Sequence, residues 1–271
     1  MSTTPVILSD FAEGVATITL NRPEARNALN SELLAAMPQA LIAADGDERV
    51  RAIVLTGADP AFCAGLDLKE LGSTGANLGA GEWPAGGAGA GAGAERTTRA
   101  PWPVITKPVI GAINGPAVTG GLEVALQCDF LVASERARFA DTHARVGVVP
   151  GWGLTVLLPQ AIGLRRAKEM SLTGNFVDAA EAHALGLVGH VVPHHELLPT
   201  AVRLARDIAS NDPDGVAALL ASYKETALTT AAEGLLIERR VSETWRGDHF
   251  DPAEVERRRA GVLARARSQT S

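Results

Sequence analysis

"NGPAVTGGLEVALQCD", residues 114–129, places a turn, a pair of glycines and a helix-forming run directly after the apolar segment 108–113. The apolar segment is typical of a buried strand, and Asn-Gly-Pro is typical of a turn. On a helix that begins near Gly120, the residues Gly120, Glu123 and Gln127 share one side. The sequence therefore predicts a strand, a turn and a short helix with one carboxylate in its first turn.

Glu123 has two interpretations at this point. It either lies on a water-facing stripe of the helix, or it moves a proton in a pocket where free N–H groups at the helix start bind an oxyanion. A second glycine-bearing loop, GADPAFCAGLDLKE (57–70), follows the predicted buried strand 52–55 and could supply another N–H from Leu66. Two convergent donors each lower the barrier to an enolate or tetrahedral oxyanion by about 3 kcal/mol.

The rest of the chain fits an α/β core followed by helices. Residues 7–20 predict a β-hairpin, and helical patterns dominate from about residue 154 onward. We expect a core over residues 1–195 and a helical region over residues 196–271. Residues 72–100 are mostly Gly and Ala, whose small side chains offer few contacts to offset backbone entropy, so we expect a mobile loop there.

Composition excludes several classes of function. The chain has 271 residues, 46% of them apolar, and a net charge of −6, so a nucleic-acid partner is not expected. No run approaches the roughly 18 apolar residues of a membrane span. The two cysteines, Cys63 and Cys128, show no metal-binding spacing, and we predict no metal site. The N-terminus lacks the apolar core of a signal peptide, so we expect a soluble, cytoplasmic protein.

Four motifs carry a resemblance to a known family. In chain order they are NRPEARNALN (21–30), VRAIVLTGADPAFCAGLDLKE (50–70), KPVIGAINGPAVTGGLEVALQCDFLVASERARFA (107–140) and LTGNFVDAAEAHALGLVGHVV (172–192). Together they resemble the crotonase family, also called the enoyl-CoA hydratase/isomerase superfamily. The resemblance implies an α/β spiral of ββα units with a C-terminal helical region used for assembly into a homotrimer or a hexamer, a dimer of trimers. It also implies an acyl-CoA thioester as substrate, with coenzyme A as part of that substrate and no separate cofactor.

The resemblance assigns roles to particular residues. It implies that the N–H groups of Leu66 and Gly120 form an oxyanion hole, and that Glu123 matches one of the two glutamates of the family's hydratases. By the same resemblance, residues on two segments form walls around the CoA nucleotide: Arg26 to Ala28 on one, and Ala64, Asp67 and Leu68 on the other.

The sequence departs from the family pattern at two positions. His143, in FADTHARVGVVPG (139–151), stands where hydratases commonly carry their second glutamate. An imidazole, with an unperturbed pKa of about 6.5, can still donate or accept a proton near neutral pH. In an extended segment Asp141 projects to the same side as His143, so it could orient the ring or serve as the second carboxylate itself. Alternatively, Asp141 caps a turn and His143 packs or faces solvent.

Trp152, in PGWGLTV (150–156), is the second departure, because relatives usually have small residues there. Its indole could shorten or reshape the acyl pocket, or simply pack in the core.

The resemblance therefore implies an enoyl-CoA hydratase, with Glu123 activating water and His143 or Asp141 assisting proton delivery. Double-bond isomerisation or other enolate chemistry on an acyl-CoA is the alternative within enzymes. A non-catalytic acyl-CoA-binding paralogue is the alternative outside them.

Overall fold

The computed structural model describes residues 4–84 and 97–270, with the backbone alone at 82–84, 97–98 and 268–270. The chain forms two compact units, Met1–Val216 and Ala217–Ser271. The strands are β1 (Ile7–Ala12), β2 (Val15–Leu20), β3 (Ala52–Gly57), β4 (Glu82–Pro84), β5 (Thr97–Arg99), β6 (Val109–Ile113), β7 (Pro116–Val118), β8 (Phe130–Ser134), β9 (Arg138–Ala140), β10 (Val177–Asp178) and β11 (His190–Val192).

The helices follow the same chain order. They are α1 (Ser31–Gly46), α2 (Leu68–Ser73), α3 (Gly120–Leu126), α4 (His143–Val146), α5 (Leu154–Ile162), α6 (Leu164–Thr173), α7 (Ala179–Ala184), α8 (Leu197–Ala209), α9 (Pro213–Thr226), α10 (Ala231–Asp248) and α11 (Pro252–Thr270). Short 3-10 turns occupy Pro23–Ala25 and His194–Glu196.

A six-stranded sheet in the order β1-β2-β3-β6-β8-β11 forms the centre of the first unit. The predicted hairpin 7–20 is confirmed: β1 and β2 pair antiparallel, whereas β2, β3, β6, β8 and β11 run parallel. Every residue of β3 is buried, because both faces of the sheet are covered. Ile53 and Leu55 pack with α1 in one core, while Ala52 and Val54 pack with α8 in the other.

A strand–strand–helix order repeats along the chain. After β6 of the large sheet come β7 of a three-stranded sheet and then α3; after β8 come β9 of the same small sheet and then α4. In each repeat, the chain leaves the carboxyl end of a parallel strand and then begins a helix. These ends of parallel strands are where α/β proteins commonly bind ligands.

The predicted loop 72–100 is only partly described. At its start, Asn77 is buried, and its side chain donates to Leu29 O and Asp67 O at 3.0 Å each. The two-stranded ribbon of β4 and β5 lies near its end. Both ends of the predicted loop are therefore ordered where the sequence predicted no regular structure. The Asn77 side chain stabilises the first end, and the pairing of β4 with β5 stabilises the second. The centre of the predicted loop, residues 85–96, lies outside the described residues.

Helices alone make up the described part of the second unit, Ala217–Ser271. A capping box joins Thr230 and Glu233 at the start of α10. Large apolar side chains of this unit are exposed, namely Leu219, Tyr223, Leu228, Leu235, Leu236, Phe250, Val255, Val262 and Leu263. Throughout the described ranges, no helix is long and apolar enough to cross a bilayer. The predicted boundary between a core over residues 1–195 and a helical region over residues 196–271 stays a prediction; α8, which follows residue 195, packs on the sheet of the first unit.

Candidate active site

Two segments meet beyond the carboxyl ends of β3 and β6: a first loop, residues 58–67, which follows β3, and a second, residues 114–119, which follows β6 and includes β7. The amide of Cys63 donates to Pro116 O at 3.0 Å, and that of Val118 donates to Cys63 O at 3.0 Å, so the first loop runs beside β7. Glycine permits this approach. A β-carbon at Gly121 would lie 2.0 Å from Cys63 O, which no real side chain tolerates.

Leu66 and Gly120 are brought together by this packing, as the sequence predicted for the oxyanion hole. A β-carbon on Gly120 would lie 3.8 Å from the Leu66 nitrogen, and one on Gly65 would lie 3.5 Å from the Gly120 nitrogen. Gly120 is the first residue of α3, so its N–H has no intrahelical partner. Within residues 4–84 and 97–270, neither N–H donates to a protein acceptor. Both amides can therefore serve a ligand oxygen.

Glu123 is buried, with 3% of its surface exposed, so the water-facing interpretation is wrong. One carboxylate oxygen, Oε1, accepts a hydrogen bond of 2.7 Å from the backbone N–H of Trp152. The other, Oε2, lies 3.4 Å from Nε2 of His143. This is longer than the roughly 2.7–3.2 Å of an ordinary N–H···O bond. The carboxylate is thus fixed at one oxygen and faces a titratable ring at the other.

Asp141 and His143 form a buried pair next to Glu123. Nδ1 of His143 lies 2.6 Å from Oδ1 of Asp141, and the His143 backbone N–H also donates to Oδ1 at 3.1 Å. The expectation of an extended segment is wrong at His143, which is the first residue of α4. The N-cap of α4 is Thr142, but the Asp141 carboxylate accepts the first N–H of the helix and also orients the ring. Asp141, His143 and Glu123 therefore make one chain of contacts.

The pair shifts the pKa of both groups. Burial lowers the pKa of His143, but the hydrogen bond to Asp141 and the negative charges of Glu123 and Asp141 outweigh it and raise the pKa to about 9. Burial raises the pKa of Asp141, and its hydrogen bonds to His143 and Ser171 outweigh that and bring the pKa below its ordinary value. At neutral pH the ring is therefore an imidazolium that donates from Nδ1 to Asp141 and presents Nε2–H toward Glu123.

The predicted CoA-binding residues also come together. Ala64 N–H donates to Arg26 O at 3.0 Å, and Asp67 N–H donates to Leu29 O at 3.0 Å, so the segments 26–29 and 64–68 run side by side. Ala28 is buried, whereas Arg26 and Leu68 are exposed. The two segments form one continuous wall next to the Leu66 amide. The contact of each residue with the nucleotide stays a prediction.

The sequence analysis missed Arg22 and the structural role of Asn27, which hold this wall and the loops in place. Asn27 is fully buried and donates from Nδ2 to Ala58 O at 2.8 Å and to Ala61 O at 2.7 Å. Its φ of +55°, close to the +53° of Arg26, is a conformation that Asn adopts more readily than most residues. Arg22 forms an ion pair of 3.1 Å with Asp67. The signal available in the sequence was the polar motif NRPEARNALN (21–30), which contains both Arg22 and Asn27.

Substituting Gly121 by Ala tests the close approach of the two loops. The added methyl group overlaps Cys63 O, so the loop must move away from α3. We expect a loss of about 1–3 kcal/mol in the free energy of unfolding, measured by denaturant titration. In Gly46→Ala, the control, the methyl group meets nothing within 4 Å. Equal stability of both variants would contradict the packing described above.

Among the described residues, no group of three or more His, Cys, Asp or Glu side chains could hold an ion, and the expected absence of a metal site stays a prediction. The site offers instead two N–H donors, a carboxylate and an imidazolium. These groups can stabilise an oxyanion and transfer protons beside it.

Comparison with known proteins agrees with this geometry. A family model described as enoyl-CoA hydratase/isomerase matches residues 10–251. A probable enoyl-CoA hydratase of Rhizobium meliloti is 40% identical, over 85% of each chain. The crystal structure of an enoyl-CoA hydratase from Mycobacterium tuberculosis is 48% identical, with a TM-score of 0.72 over 90% of this chain and 100% of that one. A monofunctional enoyl-CoA isomerase from M. smegmatis is 31% identical, with a TM-score of 0.67 over 85% of this chain and 98% of that one.

The structural matches confirm the predicted α/β class, with its repeated strand–strand–helix units and C-terminal helices. The match of the family model over most of the chain confirms the resemblance carried by the four motifs. The chain belongs to the enoyl-CoA hydratase/isomerase family, the crotonase family.

Proposed function

We propose that the protein is an enoyl-CoA hydratase, which adds water across the double bond of a 2-enoyl-CoA thioester. The observation that carries the proposal is the buried carboxylate of Glu123, held by the Trp152 amide and facing His143, in the helix whose first N–H is that of Gly120. Its relatives named as hydratases support the proposal. Coenzyme A enters as part of the substrate, and we propose no further cofactor.

The two amides and the two titratable side chains have separate roles in the proposed reaction. The N–H groups of Leu66 and Gly120 donate to the thioester oxygen, so negative charge can develop there as an enolate forms. Glu123 takes a proton from water, and the resulting hydroxyl bonds to Cβ. The enolate then collapses as Nε2–H of His143 delivers a proton to Cα.

The protons balance after one further transfer. Glu123 has gained a proton and His143 has lost one, and the 3.4 Å contact between Oε2 and Nε2 provides the path that restores both. Contacts of this kind often shorten when substrate binds. Asp141 keeps its bond to Nδ1 throughout and is a positioning residue, because it holds the ring and stabilises its charged form.

A direct assay tests the proposal. Pure protein is incubated with 2-butenoyl-CoA, the loss of conjugated absorbance is followed, and the products are identified by mass. A 3-hydroxyacyl-CoA, heavier by one water, supports the hydratase. Migration of the double bond in a 3-enoyl-CoA without a change in mass indicates the isomerase, the alternative that the similarity to the M. smegmatis enzyme favours. Tight binding without turnover of any ester would indicate a non-catalytic acyl-CoA-binding protein.

Substituting Asp141 by Asn tests the positioning role. Without the carboxylate, burial still lowers the pKa of His143, but the largest stabilising bond to its charged form is lost. We expect the alkaline limb of kcat/KM, near pH 9 in the wild type, to move to lower pH by at least about one unit. The profile is measured between pH 6 and 10.5. An unmoved limb would contradict the role, whereas an equal loss at every pH would indicate a structural effect alone.

We further propose a homotrimer or a dimer of trimers. The exposed apolar side chains of the second unit support it, because soluble proteins seldom leave many such residues without a partner. Sedimentation velocity at several concentrations tests it, and a monomer at micromolar concentration would contradict it. A cytoplasmic location stays a prediction, which fractionation of the source cells would test.

A further inference from the structure

A cavity of about 300 Å³ lies between α1 and the segment 80–81. This volume is at the lower end of the roughly 300–1,000 Å³ of small-molecule sites. Its lining holds no charged residue and a single polar side chain, that of Gln39; the lining residues are Leu34, Ala35, Pro38, Gln39, Ala80, Gly81, Pro101 and Trp152. The cavity therefore suits an apolar group.

Trp152 belongs both to this cavity and to the proposed active site. Its backbone N–H donates to Oε1 of Glu123 at 2.7 Å, while the same residue lines the cavity. The residue is held at two further points. Nε1 donates to Ala80 O at 3.0 Å, and Trp152 O accepts from Nε2 of Gln127 at 2.8 Å. With only 7% of its surface exposed, the side chain is a fixed wall.

We propose that Trp152 is the specificity-determining residue, whose indole ends the acyl-chain path between Glu123 and the cavity. The inference rests on the proposed function, in which Cα and Cβ of the substrate lie beside Glu123. Carbons beyond Cβ must extend from this carboxylate, and the residue bonded to it carries the ring that lines the cavity. A short acyl chain ends at the ring. A long chain needs the space that the cavity would provide if the ring were absent.

Chain-length preference in two variants tests the proposal. Trp152→Ala opens the wall, and Trp152→Phe keeps most of the ring while removing the bond to Ala80 O. Values of kcat/KM are measured with 2-butenoyl-, 2-octenoyl- and 2-dodecenoyl-CoA. We expect the dodecenoyl-to-butenoyl ratio to rise at least about tenfold in Trp152→Ala, because each methylene accepted by an apolar pocket is worth about tenfold or more. In Trp152→Phe we expect a change below about threefold. An unchanged ratio in Trp152→Ala would overturn the proposal.

A third variant refills the cavity from α1. Ala35 lies on the exposed side of α1 and lines the cavity, so a larger side chain is accommodated there without disturbing the sheet. Adding Ala35→Trp to Trp152→Ala is expected to abolish the gain with 2-dodecenoyl-CoA. Persistence of the gain would place the long chain elsewhere. If Trp152→Ala does not fold, Trp152→Leu replaces it, with a smaller shift in the same direction expected.

Binding separates failure of this inference from failure of the proposed function. Dissociation constants of saturated butanoyl-, octanoyl- and dodecanoyl-CoA are measured calorimetrically for the wild type and both variants at position 152. A shift toward dodecanoyl-CoA in Trp152→Ala supports the acyl path even if no ester is hydrated. Normal hydration of 2-butenoyl-CoA by the wild type, without that shift, would overturn the specificity role alone.

Discussion

Glu123→Gln is expected to lower kcat for hydration on the order of 10³-fold, with KM changed by less than about threefold. An amide of the same size still accepts the Trp152 N–H through its oxygen, but it cannot take a proton from water. General acid–base groups contribute about 10²–10⁴-fold to a rate, so the expected loss falls inside that range. The measurement is steady-state kinetics with 2-butenoyl-CoA at pH 7.5.

The matched control is Glu135→Gln, which makes the same chemical change on an exposed side chain just after β8. It should retain wild-type kcat. Thermal unfolding of both variants shows whether either change disturbs the fold. If folded Glu123→Gln retained more than a tenth of wild-type kcat, Glu123 would not be the base in this reaction.

His143→Gln is expected to lower kcat on the order of 10²-fold and to remove the alkaline limb of the pH profile. The pKa of His143 is raised from 6.5 to about 9, so the imidazolium that we propose as the proton donor to Cα is present at neutral pH and lost as pH rises through about 9. The variant has no such donor at any pH. Its residual activity should therefore not fall through this window, as measured between pH 6 and 10.5.

The pH dependence of the free energy of unfolding also reports the protonation of His143. Because the folded pKa lies above the unfolded one, the charged His143 contributes stability that is fully present below about pH 6.5 and is lost as pH rises to about 9. The wild type should therefore lose its advantage over His143→Gln in this range. His190→Gln, at an exposed position in β11, is the control. An alkaline limb that survives in His143→Gln would assign that limb to another group.

The sequence predicted those parts of the site that depend on local residue patterns. The apolar run before residue 114, the turn and the glycines predicted β6 and α3, and with them the position of Glu123 and the free N–H of Gly120. Leu66 followed from a second loop of the same kind. Proximity of the two amides was a reasonable expectation, since both loops leave neighbouring parallel strands.

Contacts between residues far apart in the sequence could not be predicted in this way. The bond from Trp152 to Glu123 joins residues 29 apart and uses a backbone N–H, which every residue but proline carries. The sequence drew attention to Trp152 only for its size. At His143, side-chain alternation suggested an extended segment, but the helix α4 begins there, and its first N–H donates to Asp141. The two side chains meet in either conformation, so the pairing was predictable although the backbone was not.

In the proposed reaction, the amides of Leu66 and Gly120 hold one thioester oxygen while residue 123 faces the adjacent carbons. A crystal structure of the Glu123→Gln variant with 2-butenoyl-CoA bound tests it most directly. We predict the thioester oxygen at about 2.7–3.1 Å from both nitrogens, with Cβ facing the substituted side chain. An oxygen that contacts only one of the two amides, or a butenoyl group turned away from position 123, would contradict the account.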